Sequence, residues 1–125
     1  METIEFTIPL NPRSKKNSQE IVRPKGRPPI IVQSKVYKEY EKACREYVPE
    51  MPIPIDFPVN VQYLFYRKDE RRCDATNLQA ALDDILVKYG VLADDNWKII
   101  KSHDGTRVLL DRENPRVEVT ITEVE

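Results

Sequence analysis

A chain of 125 residues with 20 Lys+Arg against 21 Asp+Glu has room for one domain and one modest core, spanning residues 1–125. Its 40% apolar and 33% charged content excludes a disordered tail, and no apolar run approaches the roughly 18 residues of a membrane span. With no signal-peptide pattern either, the expectation is a cytoplasmic protein without a membrane partner.

In chain order, Glu2 to Ile8 alternates Ile4, Phe6 and Ile8 with polar residues and reads as a strand ending at Pro9. Residues 13–33 form a basic, proline-rich segment. Arg13, Lys15, Lys16, Arg23, Lys25 and Arg27 face only Glu20, and Pro24, Gly26, Pro28 and Pro29 predict an irregular loop over 13–27. Ile30 to Val32 allows a short strand. Ser34 is placed to cap a helix over about 35–48 that turns Val36, Tyr37, Tyr40, Ala43, Cys44 and Tyr47 inward. Pro49, Pro52 and Pro54 end it. Clean alternation of Phe57, Val59, Val61, Tyr63 and Phe65 predicts a strand over 57–66.

Leu78, Ala81, Leu82, Ile85, Leu86 and Tyr89 recur with helical period, so a helix is expected at about 77–89. Thr76 with Gln79 fits a capping box, and Gly90 fits a left-handed residue just past the end. Strands are expected near 97–103, 107–110 and 116–124, with Gly105 in the first turn and Asp111–Pro115 in the second. The sum is an α+β fold, a mixed β-sheet with two helices packed on one face.

The informative chemistry lies in residues 71–96. Asp74, Thr76, Asn77, Asp84, Asp94 and Asp95 crowd around the second helix, with Arg71 and Arg72 beside them. Such oxygen ligands suit Mg²⁺ or Mn²⁺, and the adjacent arginines suit a phosphate-bearing substrate. Asn77 and Asp84 share one flank of the helix, and Asp83 points elsewhere. The helix carries the chain roughly 16 Å from Leu78 to Tyr89. An extended return over Val91–Asp95, at about 3.3 Å per residue, covers a similar distance. The Asp94-Asp95 pair is therefore expected beside the helix, near Asp74.

Arg71-Arg72, Asp74, Asn77-Leu78, Asp84, Gly90 and Asp94-Asp95 together resemble the signature of the RusA family of Holliday junction resolvases. The likeness extends to Ser34–Glu41 as the family's first helix and Arg116–Glu123 as its last strand. The resemblance implies a homodimeric, Mg²⁺-dependent endodeoxyribonuclease acting on branched DNA such as a four-way junction, in recombination and repair, often of phage or prophage origin. It implies Asp74 and Asp95 as catalytic, and Asp74, Asp94 and Asp95 as metal ligands. Thr76, Asn77 and Asp84 are expected to support them, and the local basic patches make Arg13, Lys15, Lys16, Arg71 and Arg72 the expected DNA contacts. Two positions depart from the family pattern. Thr76 stands where the second aspartate is expected, and Ala80 where a lysine is. Asp104 is a candidate replacement acid, and Lys15 or Lys16 could supply the missing positive charge. The alternative is a catalytically impaired protein of the same fold that binds DNA structures without cutting. A protein-interaction module, favoured by the pI near 5.9, is the third reading.

Other residues receive ordinary roles. Asp74 also fits a helix cap, and Asp84 also fits an ion pair with Lys88 one turn on. His103 reads as a surface or hydrogen-bonded histidine, and Trp97 as core. Cys44 and Cys73 are expected as reduced thiols, Cys44 in the core.

Overall fold

The computed structural model describes residues 1–15, 19–33 and 35–125. The expected DNA contact at Lys16 and the cap at Ser34 lie outside them. The elements are β1 (Ile4–Ile8), β2 (Gln19–Val22), β3 (Ile30–Gln33), α1 (Lys35–Cys44), β4 (Val59–Arg67), α2 (Ala75–Lys88), β5 (Ile100–Ser102), β6 (Arg107–Leu110) and β7 (Arg116–Glu123). The architecture is the expected α+β one, a mixed sheet with two helices.

The sheet is organised around β4. It pairs antiparallel with β7, which pairs antiparallel with β1, and its other edge is shared by β5 and β6, both parallel to it. The alternation read from sequence decides which face is covered. Val59, Val61, Tyr63 and Phe65 of β4 and Val117, Val119 and Ile121 of β7 are buried, while their neighbours in between are partly exposed. One face therefore carries the core, against Tyr37, Tyr40 and Cys44 of α1 and Leu78, Ala81, Leu82, Ile85 and Leu86 of α2. The helices are also tied to each other where Lys88 pairs with Glu41 and Tyr89 donates to the Glu41 carbonyl at 2.8 Å.

Several expectations change. Residues 19–22 are not irregular, because they form β2 and pair antiparallel with β3. The prolines and Gly26 occupy only the connection at 24–29, where a turn needs them, and Ile21-Val22 supply β-favouring side chains before it. The helix α1 ends at Cys44, and single tight turns carry the chain to Tyr47. Val36, Ala43 and Tyr47 face solvent rather than core. The strand expected over 97–103 shrinks to 100–102, because a turn takes residues 96–99. Trp97 is 71% exposed, not core.

Thr76 is not the cap of α2. The helix starts two residues earlier than expected, with Asp74 extended at the N-cap position and its carbonyl accepting the N–H groups of Asn77 and Leu78 at 3.1 and 3.3 Å. Aspartate is at least as good a cap residue as threonine, so the local rule selects the wrong one of two candidates. At the other end the Gly90 expectation holds. With φ of 78°, Gly90 donates to the Val87 carbonyl at 3.2 Å and Val91 donates to Leu86 at 2.9 Å, a Schellman closure.

Candidate nuclease site

The return after α2 decides where the acidic pair goes. Ile55 and Leu92 form a parallel bridge, with Ile55 donating to Val91 at 2.9 Å and Ala93 donating to Ile55 at 2.8 Å. Further along, Val59 donates to Ile99 at 2.8 Å. The chain over 91–99 thus travels beside the approach to β4 and in its direction. Since α2 brings the chain back from the end of β4, this path reverses along the helix as expected, but the acid it sets beside Asp95 is Asp84, not Asp74 as the sequence suggested, because the return stops partway up the helix.

The reversal brings Asp95 near enough to Asp84 for the charge of that carboxylate to act on it. Asp84 is also ion-paired with Lys15, Nζ to Oδ2 at 2.8 Å, whereas Lys88 pairs with Glu41. Burial first, then the hydrogen bond with Asp94 and the charge of Asp84, push the Asp95 carboxyl above its ordinary range. Asp94 behaves in the opposite way. Its Oδ1 accepts the Asp95 N–H at 2.7 Å and its Oδ2 accepts the Asn96 side chain at 3.1 Å, and these bonds hold its carboxyl below the usual range. Asp94 is the brace of the turn that presents Asp95.

Asp74 lies at the opposite end of the helix flank. Ten residues of α2 separate it from Asp84, about 15 Å of helical rise. Its Oδ2 accepts the Asn77 side-chain amide at 3.5 Å. Asn77 and Asp84, seven residues apart, fall on the same side of the helix, so the flank reads Asp74, Asn77, Asp84 with Asp95 docked at the last. Thr76 is exposed on the first turn. Among the described residues no three His, Cys, Asp or Glu side chains are grouped so as to cage an ion. The pair Asp84–Asp95 nevertheless fits a hard divalent cation. Two neighbouring carboxylates at the surface supply charged oxygens, and Mg²⁺ commonly completes its shell with water and substrate phosphate.

The basic residues gather next to this flank. Arg13, Arg67, Arg71 and Arg72 line a cleft of about 160 Å³ together with Pro12, Ser14 and Cys73. Asp69 is the carboxylate that reaches two of them, at 4.0 Å from Arg67 and 3.9 Å from Arg71. Residues 11–15 are anchored into place at successive points. Asn11 accepts the Lys68 N–H at 3.0 Å, Ser14 is buried with Cys73 Sγ 3.9 Å from its Oγ, and Lys15 reaches Asp84. Lys15, next in the chain to the cleft-lining Arg13 and Ser14, thus reaches from beside the cleft to Asp84. In the sequence Arg67 stands out only as one of the basic residues, with Lys68, Arg71 and Arg72, that bracket the acidic motif. Its position at the end of β4, facing Arg71 across a tight loop, emerges only from the fold.

A second polar group is equally invisible in the sequence. Asp83 is buried, accepting the Tyr63 hydroxyl at 2.6 Å and facing His103 Nε2 at 3.0 Å from both oxygens. It points away from the Asp84 flank into the helix–sheet seam. His103 is therefore a hydrogen-bonded histidine, as expected. Asp104 lies in the exposed loop beside it, its backbone held to the Asn60 side chain on β4.

A sequence profile described as Endodeoxyribonuclease RusA matches residues 9–122. A search of curated proteins found no match. The profile runs from ahead of the 11–15 anchor into β7, and so includes both the arginine cleft and the carboxylate flank. The chain belongs to the RusA family of endodeoxyribonucleases.

Proposed function

We propose that the protein is a metal-dependent endonuclease that resolves branched DNA, four-way junctions foremost, in recombination and repair. The observation that supports this reading is Lys15, next in the chain to the cleft-lining Arg13 and Ser14 and ion-paired with Asp84, the neighbour of Asp95. Anionic oxygens to hold a cation and guanidiniums to hold phosphates are the two halves of a phosphodiester site.

In this reading Asp95 and Asp84 hold the cation, with Asp74 and Asp94 as further carboxylates along the same flank. Mg²⁺ is the favoured ion and Mn²⁺ an alternative; when bound it supplies Lewis acidity and lowers the pKa of a coordinated water. Asp94 fixes the backbone of Asp95, and Asn77 orients Asp74. Lys15 compensates Asp84 and supplies the positive charge that Ala80 does not. Arg13, Arg67, Arg71 and Arg72 position backbone phosphates without reading bases. A two-fold homodimer would set two such sites against the symmetric strands of a junction.

The test is cleavage of a labelled four-way junction with and without Mg²⁺ or Mn²⁺. Asp95→Asn and Asp84→Asn are each expected to lower the rate about 100-fold while junction binding persists. Undiminished cutting by Asp95→Asn would refute the assignment. Thr76 in place of an aspartate, and the lack of a three-acid group among the described residues, favour one rival, a junction binder that never cuts. Tight junction binding with no nicking in either metal would decide for it.

A further inference from the structure

The turn that carries the acidic pair also displays an aromatic ring. The Asn96 side chain accepts the Lys98 N–H at 2.9 Å, and its carbonyl accepts the N–H groups of Ile99 and Ile100 at 3.1 and 3.0 Å. Within this closed turn Ile99 and Ile100 take the buried positions, and Trp97 is left outside at 71% exposure. Its ring is not idle. Lys101 Nζ sits 4.4 Å from the ring centroid, a cation–π distance that fixes one face and leaves the other to solvent.

An indole held open to water forgoes one of the largest apolar burials available to a side chain. The cost falls at one particular place. Trp97 is two residues beyond Asp95, at most about 7 Å along the chain, on a turn braced by Asp94 and Asn96. We infer that Trp97, backed by Lys101, is a stacking platform for an unpaired nucleobase next to the cleavage site. The inference rests on the proposed DNA substrate and deepens it. Every base offers a π face, so such a platform selects unstacked nucleotides over paired ones without reading sequence. Branch points interrupt the base stack and leave base faces open to such a platform, and continuous duplex does not. A base on the free face would complete a layered arrangement of base, indole and ammonium. The Lys101 charge would at the same time sit near the phosphate of that nucleotide.

Trp97 is the only tryptophan in the chain, so its emission reports on this turn alone. The experiment titrates the full-length protein, with metal chelated to prevent cutting, with a four-way junction, a single strand and a continuous duplex. The junction and the single strand are expected to quench Trp97 strongly, and the duplex weakly at equal saturation. Trp97→Ala is expected to bind the junction and the single strand about tenfold more weakly and the duplex unchanged, with Trp97→Phe recovering most of the loss. Bound junction without quenching overturns the platform and leaves the nuclease reading standing. Equal losses on junction and duplex overturn it as well. Emission that shifts with protein concentration before DNA is added would place the ring in a subunit contact instead, also overturning it. Failure to bind any DNA would overturn both readings together.

Discussion

Burial, the Asp94 hydrogen bond and the charge of Asp84 combine to raise the Asp95 carboxyl pKa, and the sign of the consequence is fixed by linkage. A folded-state value above the unfolded one stabilises the fold while the carboxyl is protonated, below the ordinary aspartate value. That contribution is lost as pH rises through the raised value. At neutral pH the ionised Asp95 therefore weighs against folding. Asp95→Asn is expected to raise thermal stability slightly at neutral pH, by less than about 1 kcal/mol, with the gain vanishing in acid. Melting curves at the two pH values check this, and a loss at neutral pH would contradict the crowding of Asp84 and Asp95. Tyr63→Phe addresses the buried group. It removes a donor from a charged acceptor and should cost about 1.5–3 kcal/mol in urea denaturation. Tyr63, Asp83 and His103 come from separate stretches of the chain, and no local pattern joins them. Asp84 is legible in the sequence as a supporting residue of the motif, but not as the acid beside Asp95, because its mid-helix setting makes pairing with Lys88 the ordinary expectation.

The C-terminal end of α2 is readable from adjacent residues, whereas its start is not, Asp74 rather than Thr76 holding the N-cap position. Gly90 closes it with a positive φ, and Gly90→Ala should cost roughly 1–2 kcal/mol, seen as a lower urea midpoint with unchanged slope. Gly105 is under a double demand. Its φ is 86°, and an added Cβ would lie 2.3 Å from Gln62 Oε1. Gln62 can swing aside, so the cost of Gly105→Ala should be mostly the backbone strain, again near ~1–2 kcal/mol. Midpoints equal to wild type would argue against the left-handed geometry of both. The hairpin of β2 and β3 is the element that the sequence disguises. Proline and glycine in its connection outweigh two β-branched residues in a four-residue strand.

Across the whole molecule, a net charge of −1 conceals a division of labour. Arginines collect around the cleft formed by residues 12–14, 67 and 71–73, and carboxylates along the α2 flank. Binding of junction DNA should accordingly weaken with salt despite the acidic pI. Arg71→Ala with Arg72→Ala should flatten the logarithmic salt slope by about 2, roughly 0.9 for each phosphate no longer neutralised. A slope unchanged from wild type would remove these side chains from the interface. The homodimer is checked by measuring mass in solution across protein concentration.

Periodicity of apolar residues is enough to establish β4, β7, both helices and the side of the sheet they cover, because burial of one face is written into spacing along the chain. The oxygen-rich motif of residues 71–96 likewise announces its chemistry by residue type alone. Which carboxylate meets which is decided by tertiary structure. The Ile55–Leu92 bridge sets how far the chain returns along α2, and it stops beside Asp84. The same holds for Arg67 joining the cleft, for Lys15 spanning to the acids, and for Trp97 standing in solvent. Contacts between residues tens of positions apart depend on loop paths and packing, to which local pattern is blind.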